Sequence, residues 1–522
     1  MKRLPALLLL ALAANAFCQI GNDSAITPDR LRAHLEFVAN DLLEGRDTPS
    51  RGLDIACTYV ATQLKLWGVK PAGDNGGYFQ VLRYAKRSLD SSKTSFSING
   101  AAKTWAKDFA PLANPGSAVN ANLVFVGHGW KIPAMNIDPY ASANVKGKLM
   151  VVLSGTPAGF DFRDRRGEKG KGAISPQDAA AEYGAVGILQ IPNSSTLEAF
   201  DSYAARFTQP GRAQLLTPSD SQIVPTITLS KDVVLQLFDG EQTSGDDLLK
   251  AADDRTEPNS FALSGSKQVS FTVVANTEES HAFNVVGIVE GSDPSLKTEY
   301  VAMGAHIDHL GMGGNGPDTI FNGADDDGSG TVSVLEIAHA FASGPKPKRS
   351  LLFVWHCGEE KGLVGSSYFT DHPTVPLERI VAQLNIDMIG RSRKSGDTNP
   401  ANKMLTDSNS IYVVGSKRIS TELGEINESV NAKLNKLRFD YHYDEPNDPE
   451  NIYMRSDHYN YAKHGIPIAF FFDGVHEDYH RPSDEVSKID FVKMSKVAQT
   501  VYATAFTVAN LDHRLKIDHP GG

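Results

Sequence analysis

Near the start of the chain, apolar residues recur at helical spacing. In DRLRAHLEFVANDLL, Leu31, Leu35, Val38 and Leu42 fall on one face, and GLDIACTYVATQLKLWG is a second helical stretch after the loop EGRDTPSR. From about residue 114 to 276 the pattern changes. Short apolar runs (LVFVGHG, GKLMVVLSG, GAVGILQIP, VPTITLS) alternate with Gly/Pro/Ser-rich loops and one helical stretch, SPQDAAAEYGA. From Phe283 to Asn510 strands and helices alternate. FNVVGIVEG, YVAMGAH, SLLFVWH, IVAQLNIDM, SIYVVGS and IPIAFFFDG read as strands. SGTVSVLEIAHAFAS, KGLVGSSYFTDH, ISTELGEINESVNAKL and VKMSKVAQTVYATAFTVANL read as helices. Near-continuous apolar strands between helices predict an α/β fold, a mixed but largely parallel sheet flanked by helices, interrupted by an inserted β-rich domain.

Length and composition narrow the class. A chain of 522 residues, with 41% hydrophobic and 22% charged residues, is expected to bury the cores of two or three folding units. Its formal net charge of −11 argues against a general nucleic-acid binder. Lys2 and Arg3 precede an apolar run from Ala6 to Ala14 and a small-x-small site at Ala14-Asn15-Ala16. That is the pattern of a secretory signal over residues 1–18, and it predicts an exported protein, periplasmic or extracellular. The run is too short for a membrane span, which takes ~20 residues, and no later segment is long and apolar enough. Cys18 raises a lipoprotein reading, but Asn15-Ala16-Phe17 is a poor context for lipidation. Two cysteines then remain, Cys57 and Cys357, too few for a thiolate zinc site.

Candidate chemistry gathers just beyond strand ends, the edge where open α/β sheets bind ligands. His306 follows VAMGA, with Asp308 able to orient its ring and His309 as an alternative ligand. FNGADDDGSG places Asp325, Asp326 and Asp327 before a helix, and adjacent carboxylates ask for a cation. Glu359 and Glu360 follow LLFVW, Asp387 ends another strand, and His476 and His480 follow IAFFFDG. A calcium loop does not fit the aspartates, because the register lacks its first acidic ligand and its closing glutamate. Imidazoles with carboxylates suit zinc, and five ligands hold two ions if one carboxylate bridges. On a turn, two adjacent glutamates diverge: one can ligate while the other serves as general base to a metal-activated water.

The segments GAHIDH, GADDDGSG, GEEKGLVGS, NIDM and DYHRPSD resemble, in order, the co-catalytic dizinc exopeptidases of clan MH. That family includes secreted aminopeptidases, glutamate carboxypeptidase, glutaminyl cyclase and a non-catalytic receptor ectodomain. The resemblance implies a zinc peptidase domain over 25–112 and 280–512. DPYASANVKGKLMVVLSG and AAEYGAVGILQIP resemble a protease-associated domain, which would occupy 115–275. It further implies two zinc ions bridged by Asp325, one also on His306 and Asp387, the other also on Glu360 and His480. Glu359 would be the general base, Asp308 the partner that orients His306, and Tyr479 an oxyanion donor. His458, in SDH, competes with His480 as a ligand. The implied activity is hydrolysis of peptide substrates, foremost removal of N-terminal residues. A carboxypeptidase, a glutaminyl cyclase-like enzyme and a receptor-like binding protein are the alternatives.

Overall fold

The computed structural model describes residues 20–166, 168–211, 213–216, 223–445 and 448–520, so the expected signal segment lies outside the described residues. Among them no helix is long and apolar enough to cross a membrane. The chain divides into two compact units, Met1–Leu82 with His281–Gly522, and Arg83–Ser280.

Seven strands of the first unit's sheet carry the argument: β1 (Ala275–Val289), β2 (Tyr300–His306), β3 (Ser350–His356), β4 (Ile380–Ile386), β5 (Ser410–Val414), β6 (Arg438–Asp440) and β7 (Ile468–Phe472). Their spatial order is β1-β3-β2-β4-β7-β5-β6. The central run β3-β2-β4-β7 is parallel throughout. β1 pairs antiparallel with β3, β5 pairs antiparallel with β7, and β6 pairs parallel with β5. The expected mixed, largely parallel sheet is therefore present.

Both faces of the centre are covered, which is why its strands are buried at nearly every position rather than alternating. Six of its helices are α1 (Pro28–Val38), α2 (Arg51–Leu66), α3 (Gly330–Ser343), α4 (Val364–Asp371), α5 (Thr421–Lys433) and α6 (Phe491–Ala509). Alternate residues of β3 part to the two sides. Phe353 meets Phe341 of α3, which stacks near Tyr502 of α6, and the Trp355 indole N–H donates to the Thr331 carbonyl at 3.0 Å. Leu352 and Val354 pack instead with Phe369 of α4 and with Tyr461. Each fully buried aromatic of this kind contributes about 1.5–3 kcal/mol.

Three expectations shift. The first helix ends at Val38, because Asn40 starts a new turn by accepting from the Leu42 N–H. Leu42, expected on the apolar face, is 82% exposed. The residues 83–112, expected with the first unit, instead belong to the second: Ser95–Ile98 pairs with Val269–Val273 and Phe109–Pro111 with Thr226–Leu229. The second unit is also less purely β. Its six-stranded sheet keeps a parallel centre (Leu123–Phe125, Leu149–Leu153, Gly187–Ile191, Thr226–Leu229). Besides the expected helix at Pro176–Tyr183 it has Ser194–Glu198, Phe200–Arg206, Lys231–Phe238 and Gly245–Asp254.

Candidate metal centre

The carboxyl ends of β2, β3, β4 and β7 all lie on one edge of the sheet because these strands are parallel, and every candidate side chain emerges there. His306 is the last residue of β2. Its Nδ1 lies 3.1 Å from the Asp308 carbonyl, which can only accept, so Nδ1 carries a proton and Nε2 is the nitrogen turned toward the carboxylates. Nε2 is 3.2 Å from Asp326 Oδ1 and 3.5 Å from Asp387 Oδ1. Asp387 follows β4 and is steadied by the Ser456 hydroxyl at 2.7 Å. A second group adjoins the first. His480 Nε2 lies 3.1 Å from Asp326 Oδ2 and 3.2 Å from Glu360 Oε2, and His309 Nδ1 lies 2.7 Å from Glu360 Oε1.

Asp326, not Asp325, is thus the carboxylate between the two groups. Asp325 is turned away: Oδ1 accepts from the Gly390 N–H at 2.6 Å and Oδ2 faces His476 Nε2 at 3.1 Å. His476 Nδ1 accepts from the Asp478 N–H, so its proton is on Nε2 and donates to Asp325. Asp327 is equally committed, accepting from the N–H groups of His306, Gly330 and Met388 at 2.9–3.1 Å. Asp484 completes the frame by accepting from the N–H of both Asp325 and Asp326. The adjacent aspartates point three ways because distant partners pull each one separately.

Of the expected residues, His306, Glu360, Asp387 and His480 meet around Asp326, and Asp325 does not. His458 stays outside: its Nε2 contacts the Tyr453 carbonyl at 2.8 Å, and its ring stacks on Phe470. The orienting contact on His306 is the Asp308 carbonyl, since the Asp308 carboxylate is 3.8 Å from Nδ1. That carboxylate instead accepts from the Thr48 hydroxyl at 2.9 Å and the Glu359 N–H at 3.2 Å. Glu359 is beside the first group, with Oε2 4.0 Å from His306 Nε2. Sequence reasoning missed two supports in the loop EGRDTPSR. The buried Arg46 guanidinium donates to the carbonyls of Val38, Ile307, Asn322 and Gly323, tying two of the acidic loops together. Thr48 also accepts from the Gly358 N–H. A buried arginine that satisfies only backbone carbonyls leaves no mark in local sequence pattern.

The electrostatics follow from the crowding. Burial lowers the affinity of His480 for a proton, yet the Asp326 and Glu360 carboxylates beside it override that and push the imidazole up to about 10. Burial would raise Asp326, but His309, His306 and His480 hold it well below the usual carboxylate range. Glu359 is pushed well up, first by burial and then by the Asp387, Glu360 and Asp457 carboxylates, against the pull of His306. Burial pushes the Tyr479 phenol above its ordinary value, so it stays a donor near neutrality. His309 Nδ1, Asp326 Oδ2 and Glu360 Oε1 are buried and face one another, with no protein hydrogen bond of acceptable geometry. Two donor sets, His306–Asp326–Asp387 and His309–Asp326–Glu360, each have ligand atoms within 4.8 Å of one another. Imidazole and carboxylate donors aimed at a shared point fit zinc. Beside them, Met388, Ile452, Phe470, Phe472 and Val475 form an apolar wall, with Arg455 and Tyr479 at its polar side.

Residues 284–505 match the sequence profile of Peptidase family M28. Over 226 residues the chain is 30% identical to a "Probable leucine aminopeptidase" of Arthroderma benhamiae, covering 41% of this chain and 56% of that protein. Over 466 residues it is 24% identical to "Leucine aminopeptidase 2" of Trichophyton equinum, covering 84% of this chain and 76% of that protein. The chain thus spans little more than half the length of the first of these relatives. A solved aminopeptidase from Aneurinibacillus sp. strain AM-1 aligns over 95% of this chain and 97% of its own, with 18% identity and a TM-score of 0.47.

Proposed function

We propose, from the match of residues 284–505 to Peptidase family M28, that the chain is an exported zinc-dependent aminopeptidase. The observation that carries this reading is the position of Asp326, one oxygen toward His306 and the other toward His480 and Glu360, with Glu359 alongside. On this reading His306, Asp326 and Asp387 hold one zinc, and Asp326, Glu360 and His480 hold the other. Bound zinc supplies a Lewis acid that polarises the scissile carbonyl and acidifies water.

The chain's own groups then do the proton work. Glu359, whose affinity for a proton is raised by burial, is the group beside the ligands that can take a proton from water. It removes a proton from water as the water oxygen bonds to the carbonyl carbon, then returns it to the leaving amine as the C–N bond breaks. Tyr479 donates its phenolic proton as a hydrogen bond to the oxygen that gains charge. The apolar wall receives the side chain of the residue removed. Removal of N-terminal residues is the activity proposed for this pocket. The names of the relatives point the same way.

The test is metal analysis together with a substrate panel. Purified protein is expected to hold about two zinc equivalents, lose activity to a chelator, and prefer apolar aminoacyl substrates with a free amine. Glu359→Gln should keep its metal and lose about 10²–10⁴-fold in kcat. A metal-loaded Glu359→Gln enzyme with normal turnover would sink the base assignment. Equal cleavage of N-acylated substrates, or cyclisation of N-terminal glutamine instead of hydrolysis, would overturn the aminopeptidase reading.

A further inference from the structure

His309 has no task in that ligand set, yet it is placed like a ligand. The ring is fully buried. Its Nδ1 lies 2.7 Å from Glu360 Oε1 and 3.8 Å from Asp326 Oδ2, and neither ring nitrogen makes a protein hydrogen bond of acceptable geometry. Leaving a buried polar group unpaired is costly, so the position calls for a partner. The ring sits 5.8 Å, centroid to centroid, from that of His480, edge toward face. Space for it is made by Gly323, in the left-handed region at φ +55°: a Cβ there would lie 2.6 Å from the Cγ and Cδ2 of His309. Arg46 fixes the same corner from behind, accepting the His309 N–H on its carbonyl while its guanidinium holds the Gly323 carbonyl.

We propose, on the basis of the two-zinc reading, that His309 is a fourth protein ligand of the zinc held by Asp326, Glu360 and His480. The two ions then differ. One has four protein donors, the count of closed, tightly held sites, while the ion on His306, Asp326 and Asp387 has three and keeps an open position. The four-donor ion binds first and leaves last, and the three-donor ion is the exchangeable one. The competing explanation is that His309 is an imidazolium that neutralises Glu360 and never meets a metal.

Zinc competition titrations on the full chain separate these. Wild type is expected to show two resolved affinities, and His309→Ser should weaken the tighter one by at least about 10-fold, a loss already typical of residues one shell further out. X-ray absorption on wild type loaded with one zinc equivalent provides a measurement that does not depend on a variant folding. About two imidazoles at that zinc support the proposal, and about one overturns it. Unchanged tight affinity in a folded His309→Ser protein also overturns it. A wild type that never binds a second zinc would instead overturn the two-zinc reading on which it stands.

Discussion

The two units build similar sheets and use them differently. Each has a centre of parallel strands whose carboxyl ends share one edge. In the first unit that edge carries His306, Glu359 with Glu360, Asp387, and Tyr479 with His480, supplied by four different strands. In the second the corresponding strands run into Gly127-His128, Ser154-Gly155, Pro192-Asn193 and Ser230. His128 is the single imidazole there, and the carboxylate near it is Glu257, which accepts from the His128 backbone N–H at 3.1 Å. Burial pulls His128 down to about 4 and pushes Glu257 up to about 7. Perturbed groups are therefore present in both units. A parallel sheet edge offers a location, and it becomes a site where several strands deliver donors to the same point.

The largest expected effect tests that convergence at its centre. Asp326→Asn should bring zinc content below one equivalent and lower kcat/KM by at least about 10³-fold, since metal-ion charge stabilisation is worth several kcal/mol. Asp325→Asn should retain both ions and lose about 1–3 kcal/mol of stability in urea unfolding, through its contacts with Gly390 and His476. If Asp325→Asn strips the metal as Asp326→Asn does, the geometric distinction between the two is lost.

A smaller effect is expected in the second unit. Glu257 has a folded value of about 7, above its ordinary 4.5. Its contribution to stability is thus full below about 4.5 and lost as pH rises through about 7. Thermal unfolding midpoints of the full chain at pH 5 and pH 8 should fall less between those values in Glu257→Gln than in wild type. An identical fall in both proteins would show that Glu257 is not the group responsible. The smallest effect belongs to His128→Phe. It leaves both donor sets intact, so kcat/KM and zinc content should stay within about twofold of wild type. A large drop in the activity of folded, metal-loaded His128→Phe would break the contrast between the units.

Much of this is legible in the sequence. Apolar runs and helical periods revealed the α/β order of the first unit, and motif positions at strand ends revealed the edge that holds the chemistry. Helices of the second unit were less visible, although two carried a readable signal. Ser244 caps Gly245–Asp254 while bonding Asp247, and Ser230 caps Lys231–Phe238. Leu42 failed for a local reason, the new turn begun by Asn40, that periodicity alone does not register.

By itself, the sequence determined which residue types were available, in what order, and that three aspartates stood together in FNGADDDGSG. Only the tertiary structure decided which of them faces the donors. Gly390 and His476 claim Asp325, and Met388 and the His306 N–H claim Asp327, all from segments remote in sequence. Asp326 is the one left free to face His306 and His480. Neighbouring carboxylates are chemically identical, so their roles are set by hydrogen bonds that exist only once distant strands have been brought side by side.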